Sequence, residues 1–242
     1  MISFLASSAY DENENLYTKN NFLKNLRSFW INESNVVYIA SYPDAYDITD
    51  KYANRHEKAY RDAGLKIKSF IVLDYRNIKK KDEILKKADV IILCGGHCPT
   101  EMKFFNELKL DEFLEDYKGI IVATSAGSMN AANLVYAQPE LEGETSPNYQ
   151  KYFEGLGICV SNILPHYQDY KNYVLDGLRV YEDITYADSY GKMFLCFPDG
   201  TYLFVDELGK EVVHGEFYII KDGILKKIQD DNEEYTIIDI II

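Results

Sequence analysis

Basic residues are in short supply in this chain. Its 242 residues carry 26 lysines and arginines against 39 aspartates and glutamates, a formal net charge of −13. Neutralising nucleic-acid phosphates needs a basic face, so this balance excludes a nucleic-acid binder. The same sign argues against docking on an anionic membrane surface, while leaving room for a local basic pocket. Cysteine is sparse too: Cys94, Cys98, Cys159 and Cys196 are too few to staple a chain of this length with disulfides. With only 6 prolines and 14 glycines, but 47% hydrophobic and 27% charged residues, collagen-like, low-complexity and disordered classes fall away. The length suffices for a sizeable core. No apolar run approaches the roughly 20 residues of a membrane helix. The opening Met1-Ile-Ser-Phe-Leu-Ala has no basic flank, and Asp11-Glu-Asn-Glu follows too soon for a signal peptide. A cytoplasmic protein is expected.

What is present is an alternating pattern. Val36-Val-Tyr-Ile-Ala, Ile67 to Leu73, Asp89-Val-Ile-Ile-Leu-Cys and Gly119-Ile-Ile-Val-Ala-Thr are short continuous apolar runs. Parallel strands covered on both faces require such runs. Helical periodicity falls between them and beyond, at about 15–29, 46–63, 80–88, 101–115 and 126–134. The alternation predicts right-handed βαβ crossovers in an α/β fold, a three-layer αβα sandwich with a mostly parallel sheet. No repeat or Pro-, Gly- or Ser-rich linker divides the chain, so residues 1–242 read as one domain. Residues 136–158, with Pro139, Gly143, Pro147, Gly155 and Gly157, read as a long irregular loop, a type that is usually functional or disordered. A helix is predicted near 170–182. Asp199-Gly, Gly209 and Asp222-Gly then punctuate C-terminal antiparallel hairpins between Met193 and Ile242.

The sharpest motif is Ile120-Ile-Val-Ala-Thr-Ser-Ala-Gly-Ser-Met-Asn. A buried strand runs into Ser125, and small residues open a helix at Ala126, Gly127 and Ser128. That is the layout of a nucleophile elbow, with Ala123 where G-x-S-x-G has its first glycine. Helix N-terminal amides beside Ser125 would receive an oxyanion. Local sequence alone leaves a plain N-cap serine equally open. Leu93-Cys-Gly-Gly-His-Cys-Pro-Thr ends another strand with paired glycines, and ligands bind beyond the carboxyl ends of strands in such sheets. Gly96 could therefore donate a second oxyanion amide; a simple tight turn is the alternative. Ile163-Leu-Pro-His-Tyr offers His166 as the base, since His56 falls in a charged helix and His214 in a hairpin.

Together, the Gly-Gly segment, the Ser-Ala-Gly elbow and the Pro165-His166 pair resemble the serine peptidases of the dipeptidase E and cyanophycinase family. The resemblance covers about residues 35–205. That family's fold is similar to the class I glutamine amidotransferase fold; there the elbow carries cysteine, so Ser125 argues against glutaminase chemistry. The resemblance implies Ser125 as nucleophile, His166 as general base, and an oxyanion hole at Gly96 and Ala126. It also implies an acid after the elbow: Glu140, with Glu142 and Glu144 as close competitors and Asp169 further off. His97 and Arg179 are weaker candidates for substrate contact. The implied substrate is a short peptide, cleaved through an acyl-enzyme without cofactor or metal. The basic cluster that follows the histidine in aspartyl dipeptidases is replaced here by Tyr167-Gln-Asp-Tyr-Lys-Asn-Tyr, which puts specificity for an N-terminal aspartate in question. Cys94, His97 and Cys98 form half of a zinc pattern, but no second tight pair follows, so strand-end packing is the reading. Two other functions stay open. One is a serine hydrolase of another small amide or ester; the other is an inactive ligand-binding member of the fold. Oligomeric state is not legible.

Overall fold

The computed structural model describes residues 1–237. Five strands form its parallel centre: β1 (Ile2–Ala6), β2 (Ser34–Ile39), β3 (Ile67–Leu73), β4 (Val90–Leu93) and β5 (Ile120–Thr124). Eleven further strands follow: β6 (Leu134–Tyr136), β7 (Tyr152–Glu154), β8 (Asn162–Leu164), β9 (Val174–Leu175), β10 (Leu178–Arg179), β11 (Met193–Cys196), β12 (Tyr202–Val205), β13 (Glu211–His214), β14 (Phe217–Lys221), β15 (Ile224–Gln229) and β16 (Glu234–Thr236). The main sheet has the order β16-β13-β12-β1-β5-β4-β2-β3. Pairing is parallel from β1 to β3 and antiparallel from β1 outward to β16.

The side-chain period of two divides each strand between two cores. Val37, Ile39, Ile91, Leu93, Ile121 and Ala123 point to one face. There they meet α4 (Cys98–Leu108) and α5 (Leu110–Leu114) through Met102, Phe105, Leu110 and Leu114. Val36, Tyr38, Val90, Ile92, Ile120 and Val122 point to the other. That face is covered by α1 (Phe22–Phe29) and α2 (Tyr46–Asp62) through Phe22, Leu26, Ala53 and Tyr60. The three-layer α/β architecture is thus the direct consequence of strands apolar on both faces. No helix of the described residues is long and apolar enough to cross a membrane.

Several local expectations are corrected. The opening segment, not counted among the strands above, is β1, buried throughout and central to the sheet. The expected helix at 101–115 is two helices, broken where Lys109 takes φ 55°. Instead of a helix near 170–182, the chain forms one short turn of helix at Tyr167–Tyr170, the β9–β10 hairpin, and a π-helical turn over Val180–Thr185. Asp176 and Gly177 both take positive φ, the signature of a tight hairpin turn that overrides helical spacing. Part of the 136–158 loop is a ribbon, with β6 antiparallel to β7. Finally, the tail divides between two sheets. Strands β12, β13 and β16 extend the main one, while β15-β14-β11-β8 form a separate sheet in which β8 runs parallel to β11.

Candidate active site

Strand β5 ends at Thr124, and Ser125 turns sharply at φ 53°, ψ −121°. A non-glycine residue in this region is strained and persists only where its surroundings hold it. Ser125 N–H lies 3.1 and 3.0 Å from the Ala6 and Ser7 carbonyls, Gly127 N–H donates to Cys94 O (3.0 Å), and Ser128 Oγ donates to Ala6 O (2.8 Å). A Cβ on Gly127 would stand 2.6 Å from Leu93 O, so only glycine lets the helix Ala126–Asn130 start this close to β4. Ser128 and Met129 N–H both donate to Ser125 O. The Ala126 amide is left over. Opposite it, Ser41 Oγ donates to Gly95 O (2.6 Å) and fixes the Gly95-Gly96 turn. Among the described residues the Gly96 N–H has no protein acceptor either. Both glycines, Ser125 and Ala126 line one cleft of about 260 Å³. Two free amides beside a nucleophile are what an oxyanion hole requires.

The imidazole arrives from the second sheet. Because β8 and β11 are parallel neighbours, the residues that follow them emerge side by side. Pro165-His166 follows β8, and Pro198-Asp199 follows β11. His166 Nε2 is 2.9 Å from Ser125 Oγ, and His166 Nδ1 is 2.8 Å from Asp199 Oδ1. Ser7, just past the end of β1, knits the group together: its Oγ donates to Asp199 Oδ1 (2.7 Å) and accepts the His166 N–H (2.7 Å). Asp199 N–H donates to Gln168 Oε1 (3.0 Å). Burial alone would raise the Asp199 carboxyl. The hydrogen bond to His166 and its electrostatic attraction, with the bonds to Ser7 and Gln168, outweigh it and hold the carboxyl below the usual range.

Glu140 is therefore not the carboxylate on the imidazole. His166 Nδ1 is occupied by Asp199, while Glu140 lines the cleft with its Oε1 3.5 Å from the Tyr170 hydroxyl. Glu144 is engaged elsewhere, 2.7 Å from His97 Nε2; Glu142 and Asp169 are exposed. The structure also moves the two weaker substrate candidates out of the cleft. His97 has both ring nitrogens committed, Nδ1 to Thr100 Oγ1 (2.7 Å) and Nε2 to Glu144, and so ties the 136–158 segment to the Gly-Gly turn. Arg179 is exposed and paired with Asp183 at 2.6 Å. His56 is not a solvated helix residue: its Nδ1 bonds the Tyr10 hydroxyl (2.8 Å), and burial, then Arg55, lowers its pKa to about 4, leaving it neutral.

Sequence reasoning missed Ser7 and misjudged Asp199, which looked like a hairpin turn. Each follows a strand that is a parallel neighbour of one carrying a recognised residue: β1 beside β5, and β11 beside β8. The cysteines do not converge, since Cys94 Sγ donates to Ile39 O (2.9 Å) and Cys98 Sγ to Asn130 Oδ1 (3.1 Å). Among the described residues one group has the spacing to hold a cation, His166, Asp169 and Asp199, with ligand atoms within 4.8 Å. A cation there would have to displace the His166–Asp199 hydrogen bond. A larger groove, about 760 Å³, lies at the opposite edge of the sheet beside Asp89 and Gly119, and among the described residues no nucleophile–base pair lines it.

The family model described as Peptidase family S51 matches residues 3–212. This chain belongs to peptidase family S51. It is accordingly a serine-type peptidase, a hydrolase of peptide bonds. Among solved structures, the chain is similar to a peptidase from an acI-B1 Actinobacterium, at a TM-score of 0.67 and 16% identity over 97% of this chain and 96% of that one. It is also similar to a candidate peptidase E protein from Listeria monocytogenes EGD-e, at a TM-score of 0.56 and 18% identity over 94% of this chain and 98% of the other. At these identities the two structures speak for the fold alone. No curated protein matches the chain.

Proposed function

We propose that this S51 peptidase hydrolyses short peptides through an acyl-enzyme on Ser125, with His166 as general base and Asp199 as the carboxylate that orients it. The carrying observation is the continuous hydrogen-bonded path from Asp199 Oδ1 through both ring nitrogens of His166 to Ser125 Oγ, at 2.8 and 2.9 Å. A serine hydroxyl is a weak nucleophile until an imidazole takes its proton. As Ser125 Oγ attacks the scissile carbonyl, the proton passes to His166 Nε2, and the carbonyl oxygen gains charge facing the Gly96 and Ala126 amides. The imidazolium returns that proton to the departing amine as the carbon–nitrogen bond breaks. Water, deprotonated by the same imidazole, then releases the acid. Asp199 is suited to its part, because a carboxyl held below the ordinary range stays ionised and keeps Nδ1 protonated.

Short substrates are what the family resemblance implies, and Pro139, Glu140 and Tyr170 line the cleft together with Ser125 and His166. A panel of dipeptides and tripeptides, with matched esters and Ser125→Ala as control, tests the reading. Turnover of the peptides, abolished in Ser125→Ala, is expected, and His166→Ala should lose at least two orders of magnitude. Hydrolysis of esters alone would move the assignment to another small-substrate hydrolase. A ligand-induced rise in Tm with no turnover of any substrate would leave a binding module.

A further inference from the structure

We propose that Glu140 makes the cleft beside Ser125 a receptor for a cationic nitrogen of the substrate, either its α-ammonium or a lysine or arginine side chain. The inference builds on the peptidase reading above and names the substrate class that site would take. Glu140 lines the same cleft as Ser125 and His166. Its carboxylate has no close donor among the described residues: the Tyr170 hydroxyl, at 3.5 Å, is at the limit of a hydrogen bond. The neighbouring acid shows the contrast. Glu144 is met by His97 Nε2 (2.7 Å) and by the backbone N–H groups of Glu140 (2.9 Å) and Leu141 (3.0 Å). Those bonds fix the backbone of Glu140 in place while leaving its own charge unanswered.

Among the described residues no lysine or arginine lines this cleft. None lines the adjoining lobe either, about 540 Å³, which shares Tyr42, Gly95, Gly96 and His166 with it and is walled by Tyr38, Tyr52 and Ile48. Burial raises the Glu140 carboxyl, with His97 opposing and Glu144 adding to the rise. An incoming cation would relieve that cost, whereas an acidic side chain would meet a like charge in a low-dielectric site. The overall charge of −13 favours the same choice at encounter, since it steers cations toward the surface.

The test uses matched peptides: Lys-Ala, norleucyl-Ala and Glu-Ala, each with a free and an acetylated N-terminus. Binding is read by calorimetry on Ser125→Ala, turnover on the wild type, and Ser125 modification with a fluorophosphonate. Peptides carrying a cation at either position should bind at least about tenfold more tightly than acetyl-norleucyl-Ala, and Glu-Ala more weakly than norleucyl-Ala. Loss of affinity on acetylation assigns the α-ammonium; preference for lysine over norleucine assigns the side chain. Glu140→Gln should level the series, and Glu140→Lys should reverse it in favour of glutamate. A purely structural role would instead lower affinity for every peptide alike, and that result overturns the proposal. Equal binding of cationic, neutral and acidic peptides by the unaltered cleft also overturns it. Failure of the peptidase reading is separate: Ser125 would resist the fluorophosphonate and no peptide would turn over, whatever the charge preference in binding.

Discussion

The turn that carries Asp199 sets a carboxylate on His166, the segment that carries Glu140 sets one in the wall of the cleft, and the two are treated in opposite ways. Asp199 is half-buried but surrounded by donors: His166 Nδ1, Ser7 Oγ and, through its own backbone N–H to Gln168, a fixed turn. Its charged form is favoured, and its pKa is lowered. Glu140 is equally sheltered but meets only a distant tyrosine hydroxyl, and burial raises its pKa. The same residue chemistry thus serves two ends, decided by partners and not by burial. In the proposed mechanism, the first is the acid that stays ionised to orient an imidazole, and the second the acid that waits for a counter-charge.

The largest expected effect breaks the comparison at Asp199. Asp199→Asn leaves the shape but offers Nδ1 no anion, and in serine-protease triads such a change costs about 10⁴ in turnover. A loss of 10³-fold or more in kcat on a neutral peptide is expected, and activity within tenfold of wild type would remove Asp199 from the mechanism. Next comes Ser7→Ala, which deletes one hydrogen bond to the carboxylate and one from the His166 backbone. A fall in kcat of roughly tenfold, the equivalent of about 1.4 kcal/mol, should accompany an unchanged KM. A shift confined to KM would make Ser7 a substrate contact instead.

The smallest effect is thermodynamic and has opposite signs at the two sites. A lowered carboxyl pKa adds stability above the unfolded value, near 3.9 for aspartate, that is lost as pH falls through the folded value. The deficit in Tm of Asp199→Asn should therefore be full at pH 7 and close below about pH 4. A raised pKa works the other way, because ionisation costs stability as pH rises past the unfolded value, near 4.3 for glutamate. Glu140→Gln should gain on the wild type across that window, by on the order of 2 °C. Melting curves between pH 3 and 8 read both; the same sign at the two sites would dissolve the distinction.

Much of the parallel centre was legible because its strands are apolar on both faces, as β2 to β5 are, and because Gly127 and Ser125 mark a turn few other residues allow. The helices flanking those strands fell near their expected places for the same reason. Ser125 and His166 were legible from local motifs. Asp199 was not, because its meaning lies in β11 pairing in parallel with β8, which sets it beside His166, 33 residues away in the chain, and no local period reports that contact. Ser7 was hidden in the same way, behind a five-residue strand whose own register beside β5 is set only in the sheet. The region 170–182 misled for a different reason: its apolar spacing suits a helix, but Asp176-Gly177 forms a hairpin turn.

The proposed chemistry requires Ser125 to be activated by an imidazole that Asp199 orients, and the rate of fluorophosphonate modification reads that activation without knowing the substrate. Measured by mass spectrometry at neutral pH, modification should map to Ser125 and slow by at least about 10²-fold in Asp199→Asn, but by less than about tenfold in Glu140→Gln. Modification that is unaffected in Asp199→Asn and abolished in Glu140→Gln would contradict it.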